Sequence, residues 1–332
     1  MKIPGFIRKG DVVGVTAPSA GITEPTDLNR FANAKKRLES RGYAVEATPD
    51  TFMCDSEGRS SPAEQRVSEL NSLLEDRSVR AIYAVSGGDY ECEMLPLMDW
   101  DFVEADPKWI QGYSDNTVLL FKITAEHDIA TVYGGNFNDF GMEPLHRSVE
   151  EGLEILEGSR TSQESFPKHA LGFGERVTGL EPFPEDADTV WESSVGDVSF
   201  EGRLIGMDVI EWFLKKGTAD ARDFVLRYSV DGIVWYLETY DMTEERVRWT
   251  LRTMEEKGWL DGCKGMVFGR PLFYQGTMGY NEAAMSEIGN RFPMLFDADV
   301  GHRAPRMLFV NGAVARFNYF AGRCRLTYDF SR

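Results

Sequence analysis

The chain has 332 residues, and its 54 acidic and 36 basic side chains give a formal net charge of −18 at pH 7. This charge argues against nucleic-acid binding, because proteins that grip phosphates need clustered lysine and arginine. The length predicts one compact unit or two domains. No apolar run approaches the roughly 20 residues that cross a bilayer, and the first ten residues lack the apolar core of a signal peptide. We therefore expect a cytoplasmic protein that does not bind membranes.

The first half of the chain alternates strands and helices. Each short apolar run ends at glycine, proline or serine, and apolar residues at helical spacing follow it. Such alternation predicts a parallel sheet covered by helices on both faces, with ligands bound at the carboxyl ends of the strands. The predicted strands are 12–17, 44–48, 81–85, 109–112 and 131–133. The predicted helices are 31–42, 91–98 and 118–126, together with a helix that begins at a capping box formed by Ser61–Glu64.

The second half begins with a different kind of segment. Residues 148–202 are rich in Glu and Ser, carry three prolines and show no long periodic pattern, which is typical of a linker or flap. The remainder predicts a second α/β unit. Its predicted helices are 207–214, 243–257 and 281–291, and its predicted strands are 232–237, 265–268, 307–310, 313–317 and 324–328.

We therefore predict an α/β protein with two domains. Residues 1–160 would form a doubly wound parallel-sheet domain, residues 161–200 a linker or flap, and residues 201–332 a smaller mixed α/β domain. The four cysteines, scattered without C-x-x-C spacing, argue against a zinc site or a disulfide framework and are expected to be reduced core residues.

Ser114 stands where a nucleophile belongs. Gly112 allows a sharp bend after the strand 109–112, and Asp115 begins a polar helix start. A serine at such a corner exposes its hydroxyl beside the free N–H groups of the new helix. The alternative is that Ser114 only caps the helix.

A glycine pair, Gly87 and Gly88, follows the strand 81–85. It lacks the spacing of a nucleotide-binding loop, so a phosphate site is a weak interpretation. A glycine lets a backbone N–H approach a reacting carbonyl closely, which makes the pair a candidate second donor to an oxyanion. A plain tight turn is the alternative.

A nucleophilic serine needs a base, and the chain has only four histidines. This small number also argues against a metal site built from a cluster of histidines. His302 is the best candidate base, because the segment 296–305 is a strand end that runs into a glycine-containing loop. His127 ends a helix, and His146 and His169 lie in polar sequence without a clear pattern. Glu238 closes the apolar strand 232–237 and could orient the imidazole, although an ordinary solvated strand end is the alternative.

Taken together, these segments resemble the LD-carboxypeptidase family of serine peptidases, which includes muramoyl-tetrapeptide carboxypeptidases and MccF-like microcin C immunity proteins. The resemblance covers nearly the whole chain, and the order and spacing of its motifs are specific. The motifs are Gly10–Ser19, Gly87-Gly88 with Leu95-Pro96-Leu97 and Asp99, Gly112–Asp115, Gly202–Gly206, Leu237-Glu238, Gly269-Arg270, and Gly301-His302 with Pro305.

The resemblance implies a Ser-His-Glu triad of Ser114, His302 and Glu238. It also implies an oxyanion hole made by the backbone N–H groups of Asp115 and Gly88, a homodimer, and no metal or cofactor. In MccF-like members an inserted tryptophan is placed to stack on a nucleobase, and Trp191 is the candidate for that part here. The alternative is a tryptophan that pins the linker to a domain.

These observations predict a serine carboxypeptidase or amidase. Its substrate would be a murein peptide cleaved before a terminal D-residue, or an MccF-like peptide-nucleotide or acyl-sulfamoyl adenylate. The alternative from a different functional class is a binding protein that has kept this fold but has no catalytic activity.

Overall fold

The computed structural model describes residues 1–209 and 219–332. The strands within these ranges are β1 Val12–Thr16, β2 Ala44–Ala47, β3 Val79–Ala84, β4 Trp109–Gly112, β5 Thr131–Tyr133, β6 Ser162–Glu164, β7 Lys168–His169, β8 Ala187–Asp188, β9 Glu192–Ser193, β10 Val198–Val209, β11 Ile233–Glu238, β12 Cys263–Gly269, β13 Met294–Ala298, β14 Phe309–Asn311, β15 Val314–Phe320 and β16 Arg323–Asp329.

The α-helices of the described residues are α1 Pro25–Arg41, α2 Ala63–Glu75, α3 Trp100–Ala105, α4 Thr117–His127, α5 Arg147–Leu156, α6 Arg222–Arg227, α7 Glu244–Glu256 and α8 Tyr280–Ile288. Short 3-10 turns cover Pro49–Phe52, Glu91–Glu93, Leu95–Leu97, Ser114–Asn116 and Phe137–Gly141. Among the described helices, none combines the length and apolar character needed to cross a membrane.

The first sheet has the order β14-β5-β4-β3-β1-β2, in which β1 to β5 are parallel and β14 is antiparallel at one edge. The strand order reverses between β1 and β3, and in doubly wound sheets ligands bind at such a reversal, beyond the carboxyl ends of the strands. The loops after β1, β3 and β4 therefore meet at one edge. This confirms the predicted doubly wound fold.

The second sheet is mixed, with the order β6-β16-β15-β10-β11-β12-β13-β9. Strands β10 to β13 run parallel, and the remaining strands pair antiparallel on both sides. Two apolar clusters each contain side chains from both sheets. One cluster contains Ile82 of β3 and Trp235 of β11, and the other contains Tyr83 of β3 and Tyr236 of β11. Continuous packing of this kind fixes the two sheets relative to each other.

Strand pairing crosses the predicted domain limits in two places. Strand β14, from the predicted C-terminal domain, pairs with β5 of the first sheet. Strands β6 and β9, from the predicted linker or flap at 161–200, lie at the two edges of the second sheet. The domain limits at 160 and 200 stay a prediction, but segment 161–200 contributes strands to the second sheet.

Several predicted elements differ from the structure. The predicted helix at 91–98 is two 3-10 turns, because Pro96 lacks the N–H that a continuous helix needs. Residues 207–209 of the predicted helix 207–214 belong to β10, and the rest of that prediction lies outside the described residues. The predicted capping box is also wrong, since α2 begins at Ala63 without a side-chain cap bond. Helix α5 lies in a segment where no helix was predicted.

The cysteines are free as predicted, but only Cys324 is buried, while Cys54 is exposed. The expectation that all four are core residues is therefore wrong.

Trp191 lies in the core. It is 0% exposed, and its indole N–H donates to Oδ2 of Asp299 at 3.2 Å. Its backbone N–H donates to the carbonyl of Gly322, and its carbonyl accepts from the hydroxyl of Tyr319. The prediction that Trp191 stacks on a nucleobase does not fit this structure, because no face of the indole is open to a ligand. Trp191 instead pins segment 161–200 to the second sheet.

Replacing this buried indole is expected to destabilise the fold. We predict that Trp191→Ala lowers the free energy of unfolding by about 3–5 kcal/mol, because it leaves a large cavity and removes one of the two hydrogen bonds that Oδ2 of Asp299 accepts, the other coming from the N–H of Phe166. Trp249→Ala is the matched control, since Trp249 is 58% exposed. Urea unfolding of both variants checks this, and equal losses would show that burial of Trp191 is not the cause.

Candidate active site

Ser114 forms a sharp corner between β4 and the 3-10 turn Ser114–Asn116. Its φ of +63° is in the left-handed region, which costs free energy for any residue other than glycine. The carbonyl of Ser114 accepts a hydrogen bond from the hydroxyl of Thr117 at 2.7 Å. Ser114 is not the helix cap, since α4 begins at Thr117 with Asn116 before it. This geometry is that of a nucleophile elbow.

The three predicted triad residues lie within hydrogen-bond distance. Oγ of Ser114 is 3.0 Å from Nε2 of His302, and Nδ1 of His302 is 2.6 Å from Oε2 of Glu238. His302 is 8% exposed and Glu238 is 0% exposed. Because the carboxylate can only accept, Nδ1 carries the proton and Nε2 is free to accept from the Ser114 hydroxyl. The arrangement can remove a proton from the serine and hold the resulting imidazolium.

The fold brings Glu238 and His302 together through two strand ends. Glu238 is the last residue of β11, and His302 follows β13 in a loop that turns at Gly301. Gly301 has a φ of +93°, and an added Cβ would lie 2.3 Å from the carboxyl carbon of Glu238. Its N–H donates to the hydroxyl of Tyr133 in β5 at 2.6 Å. Only glycine fits this turn, which is anchored to the first sheet.

Asp208 is a buried acidic side chain at the site that the sequence did not reveal. It lies in β10 and is 0% exposed, and its Oδ2 accepts the backbone N–H of Ser114. Among the described residues, its Oδ1 has no hydrogen-bond partner. Burial raises the pKa of Asp208 to about 6, and the neighbouring Glu238 carboxylate adds to this effect. The feature of the sequence that could have revealed Asp208 is that it is an acidic residue inside an otherwise apolar run.

Two carboxylates therefore face one imidazole. Burial disfavours the charged form of His302, but Glu238 and Asp208 outweigh this effect and raise its pKa above the ordinary value, while Arg306 opposes them. A raised pKa makes His302 a stronger base.

Asp208, Glu238 and His302 also offer ligand atoms within 4.8 Å of one another, close enough to hold a metal ion. Both ring nitrogens of His302 already contact Glu238 and Ser114, so a metal ion would have to break one of these bonds. The donor set fits a hydrogen-bonded triad better than a metal centre.

The turn after β3 lies against the elbow. The carboxylate of Asp115 accepts from the hydroxyl of Ser19 at 2.6 Å and from the backbone N–H of Glu91 at 2.7 Å. Gly88 has a φ of +152°, and an added Cβ would lie 2.2 Å from Oγ of Ser19. An added Cβ on Gly87 would lie 3.2 Å from Oγ of Ser114. Both predicted oxyanion donors, Asp115 and Gly88, therefore belong to loops that are held together beside the serine.

The other three histidines have structural partners. Nδ1 of His127 lies 2.8 Å from Glu104, and Nδ1 of His146 lies 2.8 Å from the hydroxyl of Ser148 at the start of α5. His169 is buried and contacts Thr189, and burial lowers its pKa to about 4. The structure brings none of them to Ser114.

Comparison with protein families gives two matches. A model of the LD-carboxypeptidase N-terminal domain matches residues 13–134, and a model of the C-terminal domain matches residues 207–317. YocD of Bacillus subtilis, which carries the name of a carboxypeptidase, is 30% identical over 97% of this chain and 98% of its own length. The microcin C7 self-immunity protein MccF of Escherichia coli is 35% identical over a segment of 150 residues, which is 44% of this chain and 43% of MccF.

Solved structures show the same fold. MccF in complex with glutamyl sulfamoyl guanosine has a TM-score of 0.83 at 21% identity, and the match covers 98% of both chains. An MccF-like protein from Streptococcus pneumoniae in complex with AMP has a TM-score of 0.80 at 22% identity, covering 97% of this chain.

The position of Asp208 predicts an electrostatic effect on His302. We expect Asp208→Asn to lower the pKa of His302, because a carboxylate that favours the imidazolium is replaced by a neutral amide. Asn can still accept the Ser114 N–H through its carbonyl. NMR titration of the four histidines measures this directly. Asp50→Asn, at a buried acid outside the site, is the control. An unchanged or higher pKa in Asp208→Asn would contradict the prediction.

Proposed function

Because this chain belongs to the LD-carboxypeptidase family, we propose that it is a serine hydrolase that cleaves a terminal amide bond with a triad of Ser114, His302 and Glu238. The observation that carries this proposal is the continuous set of hydrogen bonds from Ser114 through His302 to Glu238. One chain supplies all three side chains. A homodimer, as the family resemblance implies, stays a prediction.

The reaction begins when Oγ of Ser114 attacks the carbonyl carbon of the substrate amide. His302 takes the serine proton at Nε2, and Glu238 and Asp208 stabilise the imidazolium that forms. The C–N bond then breaks as His302 returns the proton to the leaving nitrogen. Water, deprotonated by His302, hydrolyses the acyl-enzyme and regenerates the serine. No step needs a metal ion or an organic cofactor.

The oxyanion of the tetrahedral intermediate would bind the backbone N–H groups of Asp115 and Gly88. The first N–H follows the nucleophile at the start of a helical turn, where backbone donors are free. The second lies in the glycine turn packed on Ser19. The Asp115 carboxylate accepts from the Ser19 hydroxyl and from the N–H of Glu91, three residues after Gly88, which supports a site whose two donor loops are held together before the substrate binds.

The substrate that we favour is a murein tetrapeptide that loses its terminal D-residue. A relative named murein tetrapeptide carboxypeptidase, from Pseudomonas aeruginosa, is 27% identical over 35% of this chain. A peptide-nucleotide remains the second candidate, supported by the similarity to MccF. The burial of Trp191 removes the one residue that favoured nucleotide stacking.

Removing the nucleophile tests the hydrolase proposal. We expect Ser114→Ala to lower kcat on the preferred substrate by about 10⁴-fold or more, because the covalent step is lost. The assay compares turnover of murein tetrapeptide and of aspartyl sulfamoyl adenosine, with the exposed Ser72→Ala as control. If the parent protein binds these compounds and turns over neither, the chain is a binding protein that kept the fold.

Gly88 provides a test of the oxyanion hole. We expect Gly88→Ala to lower kcat by about 10²–10³-fold with little change in KM, because the added methyl displaces the turn and its N–H. Gly10→Ala is the matched control. Gly10 has a φ of +98°, and an added Cβ there would meet nothing within 4 Å. Similar losses in both variants would assign the effect to backbone strain alone.

A further inference from the structure

A cavity of about 280 Å³ opens beside the triad. Its walls include His302, Tyr113, Phe183 and Arg306. Ligand pockets usually measure about 300–1,000 Å³, so this cavity suits a small group rather than a long peptide. In the proposed reaction His302 returns a proton to the leaving nitrogen. A cavity lined by His302 is therefore the expected place for the leaving part of the substrate.

Arg306 is a cation fixed in the wall of this cavity. Its side chain is 5% exposed, Nε donates to the carbonyl of Gly301 at 3.0 Å, and Nη1 donates to Oδ2 of Asp139 at 3.1 Å. The guanidinium lies 3.8 Å from the ring centre of Tyr113, and that ring lies 5.6 Å from the ring of His302. Among the described residues, no protein acceptor takes a hydrogen bond from Nη2. A guanidinium held in this way is oriented before a ligand arrives.

The two other arginines among the described lining residues are poorer candidates to bind an anion. Arg30 is 1% exposed and donates to three backbone carbonyls. Arg176 has a side chain that is 44% exposed and pairs with Asp27. Solvent screens an exposed cation of this kind, whereas a partly desolvated guanidinium binds anions more strongly. Arg306 is the arginine that is both fixed and close to His302.

We propose that Arg306 binds an anionic group carried by the leaving nitrogen of the substrate. This inference rests on the proposed hydrolase function and assigns the residue that recognises the leaving group. The substrates are amides whose leaving nitrogen is linked to a terminal carboxylate, as in a peptide that ends in a free amino acid, or to a phosphate or sulfamate, as in a nucleotide conjugate.

Asp139 adjusts the strength of this site. Its carboxylate holds Nη1 of Arg306 and offsets part of the positive charge. Asp139→Asn should keep an oxygen acceptor for Nη1 while removing the competing negative charge. The preference for an anionic substrate should therefore rise in this variant.

The experiment compares a murein tetrapeptide that ends in D-alanine with the same peptide as its C-terminal carboxamide. The quantity measured is the ratio of the two kcat/KM values, which cancels general damage to catalysis. We expect the parent to favour the acid by about 10- to 100-fold, the value of a charge-assisted hydrogen bond. Arg306→Gln should bring the ratio close to one, Arg306→Lys should keep part of it, and Asp139→Asn should raise it. An unchanged ratio in Arg306→Gln, or a ratio lost only in Arg176→Gln, would overturn the inference.

A binding measurement separates this inference from the hydrolase proposal. Ser114→Ala is titrated by calorimetry with N-acetyl-D-alanine, N-acetyl-D-alaninamide and AMP. If N-acetyl-D-alanine binds more tightly than its amide, and this difference is lost when Arg306→Gln is added, Arg306 binds a carboxylate. If only the binding of AMP is weakened by Arg306→Gln, Arg306 binds a phosphate. Binding of all three compounds that does not depend on Arg306 would refute the inference, whatever the turnover assays show.

Discussion

The hydrogen bond between His302 and Glu238 sets the strictest condition on the structure. Both groups are buried, and removing either partner would leave an uncompensated ionisable group in a medium of low dielectric constant. Glu238 ends a strand of the second sheet, whereas the serine that meets His302 follows a strand of the first sheet. The site therefore exists only if the two sheets are fixed against each other. The two apolar clusters that contain side chains from both sheets supply this rigidity.

The strain at Ser114 depends on the same packing. A left-handed serine persists only where its surroundings hold it. Asp208, on a strand of the second sheet, accepts the N–H of Ser114, and Thr117 donates to its carbonyl. The hydrogen bond that Asp208 accepts thus holds the backbone of Ser114, and it also places a second carboxylate near His302. Asp208 therefore contributes both to the geometry of the serine and to the basicity of His302.

The sequence predicted those parts of the site that follow from local pattern. Ser114, Glu238 and His302 each come after an apolar run, and the ends of parallel strands converge by the topology of the fold. Asp208 was missed because its run lacks a clear period and was assigned to a helix. Arg306 was missed because nothing local distinguishes a buried loop arginine from an exposed one. For Trp191 the sequence left two alternatives, stacking on a nucleobase or pinning the linker to a domain, because its contacts, such as that with Asp299, lie far away in the sequence.

In the proposed reaction, the charges of the site have opposite effects on proton transfer and on the binding of an anionic substrate. Glu238 and Asp208 favour the imidazolium of His302, which helps proton transfer from the serine. The same two carboxylates repel an anionic substrate, and an amide next to a carboxylate or phosphate brings such a charge close to them. A fixed cation on the leaving-group side reconciles these effects, provided that it does not suppress the basicity of His302. Arg306 does lower the pKa of His302, but Asp139 holds Arg306 and offsets part of its charge. The pairing with Asp139 therefore moderates the effect of Arg306 on the base while the guanidinium remains able to bind the substrate.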